Sequence, residues 1–514
     1  MAYQGRHFSP ASGDSQVAVP SRPSLRREDS RSSGHLPYEE VLPKPILLVF
    51  VALVMALCVS PFAGMLAGGK EIVNSDGSVD AAPALFADGS LNTDYLRSLG
   101  SYFEEHMAFK NELITADATL RARLFGVSNT KQVIVGKEGW IYYGGTLNDY
   151  LGADELTDRE LENIAFNLSM IGGYVRSHGA RFVVAIAPNK NTVYPEYMPA
   201  WLLASEGQHN AERLLPYLDQ YGVTYADLIS VLRSEKDEGL YFLRDSHWND
   251  QGALLAYNAI LDAIGMPHET YDGVPFVEAE HAGDIDAMLY PAGDALEAVP
   301  ALEGGYDFSF VGSDDDVTAN LIETTGKGSA KLLMYRDSFA NNLLQPLSAA
   351  FASSTFTNLV PYDLGKVEQL QPQLVIIERA ERHLSDLDHN IPILPAPSVS
   401  VVPEASVDVP ATISVDENGP FTVISGDVDI SAIADGLVDD DTGFYVQIVT
   451  ASETLPTLTA FRATVEDASG TNPYGFEAYV PTAILPDDPY QIRLIAQQGG
   501  VPVIVAQLGM NQEV

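Results

Sequence analysis

The chain has 514 residues, enough for more than one folded unit, and its 46% hydrophobic content is ample for a buried core. With 29 basic against 70 acidic side chains the formal charge is -41, which repels nucleic acid and offers nothing to anionic lipid, so a polyanion held by bulk charge is not expected. The acidity reads as the well-solvated surface of an exported protein.

Residues 1–44 are rich in Ser, Arg, Pro and Gly without apolar periodicity and read as a disordered tail. Ile46 to Ala67 is an apolar run without a charged side chain, long enough to cross a bilayer as one helix. Arg22, Arg26, Arg27, Arg31 and Lys44 precede it, so the positive-inside bias leaves the tail in the cytoplasm and everything after Gly68 outside. A single-pass anchor over 45–68 is preferred to a cleaved signal peptide, because the tail is long for an n-region and no Ala-x-Ala site follows. The one cysteine, Cys58, falls inside that span. The outer part is therefore without thiol or disulfide, which excludes a thiol enzyme and a cysteine-ligated zinc site.

After a polar spacer to residue 94, Tyr95, Leu99, Tyr102, Phe103, Met107 and Phe109 share one helical face that Leu113 and Ile114 continue. Val133-Ile134-Val135 and Trp140-Ile141-Tyr142-Tyr143 read as two strands joined at Gly136-Lys137-Glu138-Gly139. Alternation then sets in: Leu156 to His178 helical, Arg181 to Ile186 strand, Leu214 to Tyr221 helix, Val223 to Leu228 strand, and a helix carrying Ala253, Leu254, Tyr257, Ile260 and Leu261. A Gly- and Asp-rich insertion covers 267–329, and strands resume at Lys331–Tyr335 and Leu374–Ile377. This pattern predicts an α/β domain over 95–390 with a parallel sheet covered on both faces. Pro392, Pro395, Pro397 and Pro403 mark a linker over 391–403, and the short alternating runs of 404–514 predict a β-sandwich.

Two segments supply hydroxyl, imidazole and carboxylate: Arg336-Asp337-Ser338-Phe339, after a buried strand, and Asp245-Ser246-His247-Trp248, before a helix. A serine hydroxyl is nearly inert near neutrality and needs a base held in the right tautomer by a carboxylate. Ser338 at a strand-to-helix turn projects from the carboxyl edge of a sheet, with helix amides nearby for an oxyanion. Each segment has a plainer reading: Asp245 as a helix cap with His247 an ordinary loop histidine, Ser338 as a cap, and Trp248 as core packing beneath the loop.

Glu138-Gly139-Trp140-Ile141-Tyr142-Tyr143, Pro188-Asn189-Lys190 with Tyr194-Pro195-Glu196, Asp245-x-His247-Trp248-Asn249 with Gly252, Gly283-Asp284, and Arg336-Asp337-Ser338-Phe339 follow one another in a set order. That ordered set resembles the AlgX and AlgJ type of SGNH hydrolase-like proteins, which acetylate alginate and include the DHHW proteins among their relatives. The resemblance spans about Tyr95 to Leu384 and implies a flavodoxin-like SGNH fold, circularly permuted because the Asp/His segment precedes the serine. It further implies Ser338 as nucleophile, His247 as general base and Asp245 as its orienting carboxylate in acetyl transfer to a polysaccharide hydroxyl. A membrane-bound O-acyltransferase partner would supply the acetyl group, and no cofactor is implied.

This sequence departs from the SGNH pattern where Arg336 replaces a glycine and where the strand expected to bear an Asn-Asp block ends in Glu378-Arg379. The oxyanion hole must then be built otherwise, from the Ser338 amide with Arg379 or Asn358 as candidates; Arg336 and Trp248 complete the set of substrate-side candidates. Arg379 is also readable as an ion-pair partner of Glu378, Glu381 or Asp337. Acetylesterase activity and noncatalytic glycan binding stay open as alternatives. His106 reads as a packing residue, and Asp314-Asp315-Asp316 and Asp439-Asp440-Asp441 as solvated loops lacking EF-hand spacing. Tyr445, Tyr474, Tyr479 and Tyr490 read as strand core rather than a sugar-stacking platform.

Overall fold

The computed structural model describes residues 44–66, 83–87, 90–312, 316–407, 409–429, 442–467, 470–498 and 501–510. The amino-terminal tail, most of the spacer, Asp314-Asp315 and Asp439-Asp440-Asp441 lie outside the described residues. Two units are distinguished, 1–108 and 109–514.

In the first unit Lys44–Leu66 is a helix of 23 residues, about 35 Å at 1.5 Å per residue, long and apolar enough to cross a membrane. Helix Tyr95–His106 ends where Met107 turns extended and Phe109 takes a left-handed φ of 62°, and a separate helix, Lys110–Phe125, opens the second unit. The single apolar face expected from Tyr95 to Ile114 is therefore split between two helices. His106 stacks on Tyr102 and its Nδ1 lies 2.9 Å from the Tyr102 carbonyl, as suits a packing residue.

The second unit is organised by a seven-stranded sheet in the order Tyr225–Ala226, Arg181–Ala187, Leu374–Ala380, Lys331–Tyr335, Ser353–Thr357, Leu321–Gly326, Phe308–Phe310. The first five are mutually parallel, Leu321–Gly326 runs antiparallel to them, and Phe308–Phe310 pairs antiparallel with Leu321–Gly326. Side chains alternate strictly across it. Val183, Ala185, Leu332, Met334, Leu374 and Ile376 pack against helices Asp250–Ala263 and Ala340–Ala350, whereas Phe182, Val184, Leu333, Tyr335, Val375 and Ile377 pack against Asp158–Ser177 and Asn210–Gln220. Both faces being covered, the central strands are continuous apolar runs, each buried leucine contributing roughly 1.5–3 kcal/mol.

A further expectation needs correction. The strand expected over Val223–Leu228 pairs only at Tyr225–Ala226, because Asp227 accepts a hydrogen bond from Ser230 N (3.1 Å) and starts helix Leu228–Ser234. The insertion of 267–329 is packed into the domain. It contains the hairpin Phe276–His281/Glu297–Leu302 with helix Asp284–Leu289 between its arms, and it contributes the last two strands of the main sheet, joined by antiparallel pairing. The Pro-rich stretch of 391–403 is packed on the body: Leu394 and Ala396 are buried and Ser398–Val399 pairs with Thr457–Leu458.

Beyond it, a six-stranded and a four-stranded sheet share one apolar cluster, including Ile424, Phe444, Val446, Phe476 and Ile492. Tyr474, Tyr479 and Tyr490 are buried, as core side chains of strands are. These sheets lie directly on helix Asp158–Ser177: Arg159 Nη1 donates to Thr442 O (2.9 Å), Asn163 Nδ2 to Pro473 O (2.9 Å), and Asn167 exchanges hydrogen bonds with the Arg462 backbone at 2.8 and 3.0 Å.

Candidate active site

Strand Lys331–Tyr335 ends in a turn built by Asp337. The Asp337 amide donates to Glu378 Oε2 (3.0 Å), its Oδ1 accepts from Phe339 N (2.9 Å), and its Oδ2 accepts from Ala380 N (2.7 Å). One carboxylate thus staples two neighbouring strand ends, and Ser338 rides half-buried on the crest before helix Ala340–Ala350. Burial, then the adjacent charge of Asp337, pushes the Glu378 carboxyl well above its usual range, so it stays neutral beneath the turn.

The second segment is pinched into a loop by a bridge between Tyr241 and Trp248, with Asn249 N donating to Leu240 O (2.9 Å). Asn249, not Asp245, caps the following helix, its Oδ1 accepting from Gln251 N and Gly252 N at 3.0 and 3.1 Å. Asp245 is thereby released for other work. Gly252 is required by close approach: a Cβ there would meet Leu240 O at 2.4 Å. The two segments are laced together, since Trp248, fully buried, donates Nε1–H to Phe339 O (3.0 Å) and Asn342 Nδ2 donates to Trp248 O (2.7 Å).

Across that lacing Ser338 Oγ lies 2.9 Å from His247 Nε2, and His247 Nδ1 lies 2.7 Å from Asp245 Oδ1. An ionised carboxylate only accepts, so Nδ1 carries the proton and Nε2 is left to accept the Ser338 hydroxyl proton. The His247 ring also rests edge-on against Phe339, centroids 4.9 Å apart. Asp245 Oδ1 takes a second hydrogen bond from His247 N (3.0 Å), while Oδ2 accepts from Asp284 N (3.1 Å) and His281 Nε2 (2.9 Å). Burial opposes its charge, but the hydrogen bonds from His247 and His281 hold Asp245 well below the ordinary carboxylate range.

The insertion therefore reaches the site through His281 and Asp284. The bond to Asp245 raises His281 above its ordinary value, against the pull of burial. Asp284 accepts from Ser246 N (2.8 Å) and Ser246 Oγ (2.7 Å), and burial together with the charge of Asp245 raises its carboxyl. Gly283 permits this approach, because a Cβ there would meet Arg244 O at 2.1 Å. Asp245, His247 and Asp284 present ligand atoms within 4.8 Å of one another. Both Asp245 oxygens already accept two hydrogen bonds each, so the cluster is wired to hold protons rather than a cation. Below it the buried Lys190 donates to Ile141 O, Leu243 O and Asp245 O at 2.7, 2.9 and 3.0 Å. Burial pushes that ammonium down to about 7, while Glu297, Asp245 and Asp284 pull the other way.

The remaining sequence candidates are engaged elsewhere. Arg336 is buried and donates to Asp337 O, Asn341 Oδ1, Val317 O and Ala319 O. Arg379 is buried in an ion pair with Asp386, not with Glu378, Glu381 or Asp337. Asn358 is half-buried, its amide donating to Asn320 O (3.2 Å). Sequence reasoning passed over Arg382, whose guanidinium lies over the rings of Phe339 and Tyr143 at 5.2 and 5.5 Å. It also gave no role to His281, and gave Lys190 and Asp284 none beyond membership of a motif.

Residues 133–301 match the family model for the SGNH hydrolase-like domain of acetyltransferase AlgX. The match includes Asp245 and His247 and ends before Ser338. The probable alginate O-acetylase AlgJ of Pseudomonas aeruginosa is 23% identical over 346 residues, covering 62% of this chain and 83% of that protein. Its counterpart in Pseudomonas syringae pv. tomato is 26% identical over 326 residues, 57% of this chain and 79% of the relative. Among solved structures, the O-acetyltransferase domain of Pseudomonas putida AlgJ aligns with 20% identity and a TM-score of 0.32 over 49% of this chain and 92% of that domain. Over its α/β part the chain is thus similar to the SGNH hydrolase-like domain of acetyltransferase AlgX and to the probable alginate O-acetylases AlgJ.

Proposed function

We propose that the protein is a serine-dependent O-acetyltransferase that modifies hydroxyl groups of a cell-surface or exported polysaccharide. The observation that carries this reading is the unbroken hydrogen-bond chain from Ser338 Oγ through both nitrogens of His247 to Asp245. Ser338 Oγ attacks the acetyl carbonyl of a donor ester as His247 Nε2 takes the hydroxyl proton. The donor's alkoxide leaves with that proton, and acetyl-Ser338 remains. A sugar hydroxyl then gives its proton to Nε2 and attacks the acyl carbon, and Ser338 Oγ departs and recovers the proton. Asp245 orients the ring and stabilises the imidazolium in both halves.

The helix Lys44–Leu66 serves in this reading as a single-pass anchor that keeps the folded part outside the membrane, where a membrane-bound O-acyltransferase delivers the acetyl group. The order of the Asp245 and Ser338 segments makes the α/β domain a circular permutation of the SGNH arrangement, and the two carboxyl-terminal sheets are read as a β-sandwich that flanks the acceptor. Replacing Ser338 by Ala tests the proposal. Acetyl transfer from an activated ester to oligosaccharide should fall by ~10⁴-fold or more, with the melting transition of the purified chain retained. Transfer at an undiminished rate would remove the serine from the mechanism.

A further inference from the structure

Beside the Ser338 turn lies a cleft of about 390 Å³, lined by Asp149, Asp154, Glu160, Glu381, Arg382, Asp386, His389 and Glu466 among others. It opens between the end of strand Leu374–Ala380 and the carboxyl-terminal sheets, which contribute Glu466 and Thr471. The size falls within the range of small-ligand clefts, roughly 300–1,000 Å³. Arg382 joins it to the chemistry, since the same guanidinium that lines the cleft covers the ring of Phe339, the residue after Ser338.

One wall carries an incomplete polar group. Glu381 is 2% exposed; its Oε2 accepts from Asn189 N (2.8 Å) and Thr192 Oγ1 (2.5 Å), while Oε1 has no hydrogen-bond partner. A buried oxygen left so is costly unless a ligand completes it. Burial, with Asp149 nearby, pushes Glu381 up to about 8, so near neutrality it carries a proton to donate as well. Such a group suits a sugar hydroxyl, which both donates and accepts.

We propose that this cleft is the acceptor subsite and that its carboxylate-rich wall selects an uncharged glycan rather than a polyuronate such as alginate. The inference rests on the acetyltransferase reading above. Besides the protonated Glu381, five acidic side chains line the cleft against Arg382 and His389, and His389 is already paired with Asp388 (3.0 Å) and near Glu466 (3.6 Å). A chain bearing one carboxylate per sugar would have to bring like charge against Asp154, Glu160 and Glu466, at separations under a Debye length of about 8–10 Å where salt screens it only in part.

The test uses the full-length Ser338→Ala chain in detergent, so that binding is read without turnover. The probes are neutral hexasaccharides (β-1,4-glucan, α-1,4-glucan, β-1,4-galactan, α-mannan) and two polyuronates, hexamannuronate and hexagalacturonate. At least one neutral probe should bind tenfold or more tightly than either uronate, and the Asp154→Lys/Glu466→Lys pair should narrow that ratio by at least fivefold. Uronates bound as well as or better than neutral probes, no probe bound at all, or a ratio unmoved by the lysine pair would each overturn the assignment. Trapping acetyl on Ser338 of the wild-type chain is scored separately. Its absence removes the acetyltransferase reading, whereas its presence together with any of those three results removes only the acceptor assignment.

Discussion

Replacing Asp245 by Asn keeps the shape of the side chain and removes its charge, and the surrounding hydrogen bonds determine the cost. Asp245 Oδ1 accepts from His247 N and His247 Nδ1, and Oδ2 accepts from Asp284 N and His281 Nε2. An amide has one oxygen, so its NH2 must face a backbone N–H whichever way it lies, at a position where the native separation is 3.0 or 3.1 Å. With the oxygen toward His247 the tautomer survives, but the charge that stabilises the imidazolium is lost, about 1.5–3 kcal/mol or 10- to 100-fold. With the NH2 toward His247, Nδ1 becomes an acceptor and the proton moves to Nε2, which then cannot take one from Ser338; that inversion costs ~10⁴-fold in serine hydrolases. Each orientation creates one donor–donor conflict, so both are populated; the orientation that keeps the tautomer carries the rate, and kcat/KM should fall by roughly 20- to 200-fold, about 2–3 kcal/mol. The burst and turnover of 4-nitrophenyl acetate by the full-length chain measure it, with thermal unfolding in parallel expected to show a loss of about 1–3 kcal/mol. The Asp245 carboxyl is held low in the folded state, so its stabilising effect is fully present above its ordinary value of 3.8 and fades only as pH falls below it. Turnover within a factor of about ten of wild type would refute the assignment of Asp245 as the orienting carboxylate.

Four further outcomes are expected. Glu381 is raised in the folded state to about 8 from 4.5, so the folded chain holds an extra proton between those values and stability should fall with rising pH across that window, by up to ~1.4 kcal/mol per unit. Glu381→Gln should flatten this slope in urea titrations at pH 5 and 8, and a slope that persists would assign it to another group. His281→Ala should leave the bond between Asp245 and His247 in place but release Asp245 from its second imidazole, moving the acidic limb of the kcat/KM profile toward higher pH; an unchanged limb would make His281 purely structural. Lys190→Met should strand three carbonyls and cost about 2–4 kcal/mol by denaturant unfolding, and a loss below 1 kcal/mol would show that water replaces the amine. Trp248→Phe, which deletes the donor to Phe339 O, should cost about 1–3 kcal/mol and lower kcat more than it raises KM; the reverse kinetic split would place Trp248 in substrate binding.

Much of the sheet was legible because burial on both faces leaves unbroken apolar runs such as Lys331–Tyr335 and Leu374–Ala380, and punctuation at Pro188, Asp245 and Ser338 marks the ends of αβ units. Local chemistry decided the misreadings. Asp227 caps a helix inside what reads as a strand, and Phe109 takes a left-handed conformation that splits an apparently continuous helical face. The pairing of Ser338, His247 and Asp245 was readable from residue types and order, whereas the surroundings were not. His281 lies on a half-exposed strand with no apolar alternation to mark it, and it reaches Asp245 only because the hairpin folds back over the site. Arg336 and Arg379 show the opposite difficulty. A buried arginine held by carbonyls or by Asp386 and an arginine aimed at substrate look the same in sequence, because the partners come from other segments of the chain. The proline-rich stretch reads as a linker, and only the tertiary pairing of Ser398–Val399 shows that it packs on the body.

Whether Ser338 carries the acetyl group decides the mechanism. The most direct test is to mix the full-length protein with 4-nitrophenyl acetate, quench in acid within the burst, digest, and weigh the peptide that contains Arg336-Asp337-Ser338-Phe339. One acetyl group is expected on Ser338, absent in Ser338→Ala and severely reduced in His247→Ala. Acetyl found only on other residues, or burst kinetics unchanged in Ser338→Ala, would contradict the serine's role.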